Sequence, residues 1–226
     1  HVDVLRSCLV RIIVVTVVCG LAAFNFKETL FSIVLAPSKY SFVSYRLFHS
    51  APFHINLVNI GLTEKFMIHV KTAFSFGFLI ASPYVLYVLY RFIAPALYRR
   101  EKHYAVRVVL GGYVMFVLGL LVNYFVIFPL TVRFLGTYQV SESVHNMLSL
   151  QSYIDTLMMM SIMFGILFEI PIISWLLALF GLLKAEWMQR YWRQALVIII
   201  IIAAIITPTG DAFTLAIVSL PIWLLY

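Results

Sequence analysis

The stretch LMMMSIMFGILFEIPIISWLLALFGLL, from Leu157 to Leu183, holds 27 residues and a single charge, Glu169. About 20 apolar residues rising ~1.5 Å each cross the hydrocarbon of a bilayer, so this run predicts a transmembrane helix. A carboxylate near its middle costs on the order of 2.5–3.5 kcal/mol to insert, which marks the position as functional by default. Ser161, Gly165 and Glu169 recur every four residues, placing two small residues and the acid on one helix face. Small residues let a second backbone approach closely in lipid. Pro171 has no N–H for the carbonyl of Leu167, so a free acceptor and a kink are expected beside the acid. A purely structural alternative stands next to the functional one: a protonated Glu169 bonded to that carbonyl or to a neighbouring helix.

Working outward, the 226-residue chain is 63% hydrophobic and only 11% charged, with a mean hydropathy of +1.02. Soluble domains are about half apolar and about a quarter charged, so the composition is that of an integral membrane protein. The length suits one bundle of several helices, a single domain over residues 1–226. Cys8 and Cys19 lie in one predicted helix and cannot bridge to each other, so they read as small packing residues. The chain opens at His1 without a Met, and a short native N-terminus is expected ahead of it.

Six apolar segments follow one another: Leu9 to Phe26, Phe66 to Tyr90, Val108 to Phe128, Leu157 to Leu183, Ala195 to Ile206 and Ala212 to Tyr226. The expected fold class is therefore an all-α polytopic membrane protein with six transmembrane helices. The last two are short, about 18 and 22 Å against a core of ~30 Å. Between them, Thr207-Pro208-Thr209-Gly210-Asp211 reads as a tight turn in which Asp211 can N-cap the next helix. A short hairpin that thins the bilayer fits this pattern, and a re-entrant pair is the alternative.

Basic residues give an orientation. Ten of the 16 fall on one side: Arg6, Arg11, a group from Arg91 to Arg107, and Lys184, Arg190 and Arg193. Five (Lys27, Lys39, Arg46, Lys65 and Arg133) fall on the other, with Lys71 inside the second segment. The positive-inside rule then places both termini in the cytoplasm. The first outer loop, Lys27 to Lys65, is rich in aromatics and broken by Pro37 and Pro52, which predicts an ordered cap. No internal repeat is evident, against the common secondary-transporter folds.

Three polar constellations remain. In the loop from Phe92 to Lys102, Glu101 sits among basic residues. It is either a local partner of Arg99 or Lys102, or a receptor for an incoming guanidinium, a fork-shaped bond that Lys would not reproduce. The N-terminal His1-Val2-Asp3-Val4-Leu5-Arg6 starts a helix at the same face, where Asp3 also complements the helix dipole. Asp211 is a cap or a polar contact for a partner. The histidines lack metal-ligand spacing, and no Ser-His-Asp set, His-Glu-x-x-His or phosphate loop occurs, so an enzyme, a metal or a cofactor is not expected. A proton-coupled small-solute transporter using Glu169 is the competing functional class.

Taken together, Phe92-Ile93-Ala94-Pro95-Ala96-Leu97-Tyr98 with Glu101, Phe164-Gly165 with Phe168-Glu169-Ile170-Pro171, and Thr207-Pro208 with Asp211 and Pro221 resemble the TatC family, over essentially the whole chain. The family is the membrane receptor of the twin-arginine (Sec-independent) protein translocase. The resemblance implies a concave, glove-like bundle in a bacterial inner membrane that binds twin-arginine signal peptides of folded cargo. It implies a signal-peptide site on the cytoplasmic rim at Glu101, with Asp3, Arg6, Leu97 and Arg99. The family commonly has Glu where this chain has Val4, with an acid one place earlier at Asp3. The resemblance further implies that Glu169, with Ser161, Gly165 and Asp211, engages single-span TatA/TatB-type subunits. Self-association and membrane lipid complete the implied partners, and nucleic acid is not among them.

Overall fold

A computed structural model describes residues 2–47, 55–93, 105–137, 148–179, 181, 183–207 and 211–226. Eleven helices follow in order among them: α1 Val2–Phe24, α2 Lys27–Leu35, α3 Val43–Leu47, α4 Glu64–Ile93, α5 Ala105–Val122, α6 Phe128–Thr137, α7 Leu150–Leu167, α8 Ile170–Leu179, α9 Ala185–Arg190, α10 Trp192–Ile206 and α11 Ala212–Leu225. Four stretches are long and apolar enough to cross a membrane: Leu5–Phe24, Glu64–Leu89, Arg107–Thr137 and Leu150–Ala178. The chain is thus a multi-pass, predominantly helical membrane protein. Helices α10 and α11 are apolar but shorter, 15 and 14 residues, or about 22 and 21 Å.

Leu57–Val58 pair in parallel with Leu148–Ser149, a two-residue β contact that departs from the all-α expectation. It satisfies backbone groups where two inter-helix connections meet, which propensity along either one does not reveal.

The described residues form two compact units, one from His1–Lys39, Ile55–Val114 and Met147–Met158, the other from Tyr40–His54, Met115–Asn146 and Met159–Tyr226. In the first, α1 packs along α4. The two backbones meet at Gly20 and Gly77: a Cβ on Gly77 would press on the amide nitrogen of Gly20 and lie 2.5 Å from its Cα. Only a residue without a side chain permits that approach, the means by which helices associate where lipid is as apolar as leucine. Ala23, Leu30 and Ala73 are buried beside the crossing. Two polar contacts bring α7 into this unit. Lys71 Nζ lies 3.0 Å from Asp155 Oδ1, and the Tyr153 hydroxyl donates to the Val34 carbonyl at 2.9 Å.

In the second unit, the third spanning segment runs past its expected end at Phe128. Residues Asn123–Ile127 form a π-helical turn, in which the Phe128 N–H reaches back to the Asn123 carbonyl. Pro129 supplies the reason, since it has no N–H for the carbonyl of Phe125 and its ring crowds that group. The helix continues because α3 repairs the defect. Ser44 Oγ donates to the Phe125 carbonyl, and the Tyr45 hydroxyl donates to the Pro129 carbonyl at 3.1 Å. Between Lys27 and Leu47 the connection expected to form a cap carries helices α2 and α3, and Pro52 lies outside the described residues.

Burial holds the Tyr45 phenol well above its ordinary range, with Arg133 opposing. The sign follows: the unfolded phenol ionises first, near pH ~10, so this contribution is intact below that pH and lost as pH rises further. Tyr45→Phe is expected to cost about 1 kcal/mol at neutral pH through the lost hydroxyl–carbonyl hydrogen bond. The variant also loses less stability than the parent between neutral and strongly alkaline pH. Chemical denaturation of both proteins at the two pH values checks this.

Candidate functional site

The fourth spanning segment does not kink at Pro171 as one continuous helix. It breaks. Helix α7 ends at Leu167, α8 begins at Ile170, and Phe168 and Glu169 form the turn between them. Glu169 N–H bonds the Ile166 carbonyl at 3.0 Å, and the Glu169 carbonyl receives Ile173 N–H at 2.9 Å. Pro171 sits in the first turn of α8, where the ring is tolerated and its missing N–H matters least. The break lies inside the membrane-spanning stretch Leu150–Ala178.

The side chain of Glu169 is half-buried. Its Oε1 is shielded from solvent and makes no hydrogen bond among the described residues. A bond from its carboxyl to the Leu167 carbonyl or to a neighbouring helix, the structural alternative, is not formed among the described residues. An acceptor left without a donor at this depth is costly, and a donor arriving from outside the chain relieves the cost.

Packing against α5 explains how the acid is held. Gly165 faces Phe116, whose ring would lie 2.5 Å from a Cβ at that position. Gly119 faces the Phe164 carbonyl, which would lie 2.5 Å from a Cβ there, and Phe168. One step along the same contact, fully buried Asn123 donates from Nδ2 to Ser161 Oγ at 3.0 Å. Ser161 and Gly165 therefore meet α5, and Glu169 stands just beyond the end of their helix. Gly119→Val is expected to lower the unfolding temperature, since the carbonyl it meets is backbone and cannot rotate aside. A thermal melt in detergent measures it.

Asn123 escaped the sequence reading. The only signal was a lone amide in an apolar segment, and its donor role depends on Ser161. Its Oδ1 is buried without a partner, as is Oε1 of Glu169. Asp211 has the cap geometry: φ −79° and ψ 145°, with its carboxylate accepting from Thr214 N–H at 2.7 Å.

At the expected rim, Arg6 lies on α1 with its side chain exposed, and Asp3 lies in the first turn of the same helix. Glu101, Leu97 and Arg99 lie outside the described residues. Among the described residues, no group of three His, Cys, Asp or Glu side chains is placed to hold a metal ion.

Comparison with known proteins gives one consistent result. The sequence profile described as "Sec-independent protein translocase protein (TatC)" matches residues 1–221. The Sec-independent protein translocase protein TatC of Aquifex aeolicus is 33% identical, with all of this chain and 90% of that protein covered. The TatC protein of Blattabacterium from Periplaneta americana is 30% identical over all of this chain and 90% of its own length. Among solved structures, the crystal structure of the twin arginine translocase receptor TatC superposes with a TM-score of 0.82 at 33% identity, covering 100% of this chain and 94% of the other. Such proteins are translocase components and not enzymes. With the profile matching residues 1–221 and the relatives and the solved structure covering the whole chain, the chain belongs to the TatC family of Sec-independent protein translocase proteins.

Proposed function

We propose that this chain is the receptor core of a twin-arginine protein translocase in a bacterial inner membrane, with both termini in the cytoplasm. Whole-length likeness to a structure described as the twin arginine translocase receptor supports this, as does the excess of basic residues on one side of the spans. In this reading Glu101 is the carboxylate that receives an arginine of the signal peptide, with Arg6, Leu97 and Arg99 around it and Asp3 as the N-terminal acid. A planar guanidinium bonds a carboxylate through two N–H groups at once, and an ammonium does not.

One observation carries the assembly half of the proposal: Glu169 Oε1 is buried at a helix break in the membrane with no donor among the described residues. A polar group on a single-span TatA/TatB-type helix fills that vacancy, and the packing of Ser161 and Gly165 against α5 fixes where the acid stands. Copies of the receptor associate in the assembled complex, which carries folded cargo at the expense of the proton-motive force. The short α10–α11 hairpin, turned at Asp211, thins the bilayer beside them.

The receptor half is tested by competition between signal peptides. A peptide with paired arginines is expected to displace a labelled signal peptide at least ten times better than its Lys-Lys counterpart. Equal displacement overturns the guanidinium site and leaves simple charge attraction.

A further inference from the structure

The corner from Lys184 to Arg193 plays no part in the receptor reading, and its chemistry is distinctive. Helix α9, Ala185–Arg190, is followed after Tyr191 by the start of α10 at Trp192. Lys184, Arg190 and Arg193 are exposed, and none pairs with a carboxylate among the described residues. Glu186 is the one acid between Lys184 and Arg193, and it too makes no ion pair among the described residues. The Arg190 guanidinium lies 5.9 Å from the centre of the Tyr191 ring, and that of Arg193 lies 5.6 Å from the Trp192 ring. Trp187, Tyr191 and Trp192 are each about half exposed, at 53, 50 and 47%.

The corner is also tied to the far end of the short hairpin. The Tyr226 hydroxyl donates to the Met188 carbonyl at 2.7 Å. A shallow hollow lined by Met188, Gln189, Trp192 and Tyr226 opens beside that bond. Cations with no counter-charge therefore stand over aromatic rings at the end of apolar helices.

Two partners match uncompensated cations: an acidic peptide and an anionic lipid. The aromatics decide between them. Tryptophan and tyrosine gain most at the headgroup level, where the ring is apolar on one side and wet on the other. An acidic peptide in solution would leave them facing water. We infer that the α9–α10 corner is a binding site for the phosphate headgroup of an anionic phospholipid, gripped by the Arg190 and Arg193 guanidinium groups with Lys184 at the start of α9. Two planar donors suit the oxygens of a phosphodiester, and the flanking rings hold the corner at headgroup depth. Anchored so, the cytoplasmic end of the α10–α11 hairpin keeps its level although the hairpin is some 8 Å shorter than the ~30 Å hydrocarbon core. The lipid site stands without the receptor reading. Only the name of the anchored face depends on it.

The test uses the full chain in neutral detergent, with phosphatidylglycerol or phosphatidylcholine added and retained lipid measured by native mass spectrometry. The parent protein is expected to retain phosphatidylglycerol in clear preference to phosphatidylcholine. An Arg190→Gln/Arg193→Gln variant should lose affinity for phosphatidylglycerol by about fivefold per arginine removed. Arg91→Gln, which removes an exposed cation elsewhere, leaves the preference intact. Replacing both arginines by lysine keeps the charge and loses part of the preference, and it serves as the deciding variant if the glutamine pair fails to fold. Inorganic phosphate at matched ionic strength does not displace the lipid. Unchanged retention in the altered proteins, an equal loss in Arg91→Gln, or displacement of the lipid by phosphate or by an acidic peptide overturns the assignment. Signal-peptide crosslinking in the same samples separates failure of this site from failure of the receptor.

Discussion

Replacing Glu169 by alanine is expected to strip single-span partner subunits from the purified complex while leaving signal-peptide crosslinking in place. The acid sits at a break between α7 and α8 with Oε1 buried and unpaired. Hydrogen bonds between helices in lipid are worth about 0.6–2 kcal/mol, so losing one weakens partner occupancy about 3- to 30-fold. Alanine also relieves the unpaired acceptor, so the receptor itself becomes no less stable. That pattern, a stable protein with an emptied partner site, separates docking from a structural role. Glu169→Gln keeps an acceptor and adds a donor, and it is expected to retain most of the occupancy. Co-purification of tagged receptor with partners, quantified for all three proteins, measures the effect. Full occupancy in Glu169→Ala contradicts the docking role.

The second large effect concerns the packing of α1 against α4. Gly77→Val is expected to disrupt the crossing of α1 and α4, because the first added carbon already meets the backbone of Gly20, with its Cα at 2.5 Å. Backbone cannot rotate out of the way, so the helices must separate and the burial of Ala23 and Ala73 is lost. Overpacking of this kind costs about 1–3 kcal/mol and occasionally more. Gly61→Ala is the matched control. Its nearest neighbour is the Glu64 side chain at 2.8 Å, which is flexible and can move aside. Thermal unfolding in detergent should show a large loss for Gly77→Val and a small one for Gly61→Ala. Similar losses in the two would mean that the crossing is not the tight contact described here.

Legibility in the sequence followed how local each cause was. Glu169 announced itself because charge is rare in a long apolar run, and Pro171 announced an interruption because a missing N–H is a property of one residue. The Asp211 cap was equally local, needing only the N–H three residues on. What escaped involved distant partners. The π turn at Asn123–Ile127 reflects Pro129, which any reader sees, but its survival depends on Ser44, 81 residues from the carbonyl it repairs. Lys71 looked like an isolated cation inside a span until Asp155, 84 residues away, came within 3.0 Å. Even at Glu169 the proline fixed where the irregularity falls and not its form. A kink and a full break satisfy the same local chemistry, and the packing of Gly165 and Gly119 against the opposing helix accompanies the break. Of the candidate site, the intramembrane acid was legible and Asn123, the buried partner of Ser161, was not. Glu101, expected at the rim, was marked by its motif alone and lies outside the described residues.

The receptor proposal rests finally on Glu101. A signal peptide carrying a photoreactive residue beside its paired arginines should crosslink to the wild-type chain and lose that crosslink in Glu101→Ala. Crosslinking of undiminished yield in Glu101→Ala, with the variant folded and in the membrane, would contradict the account.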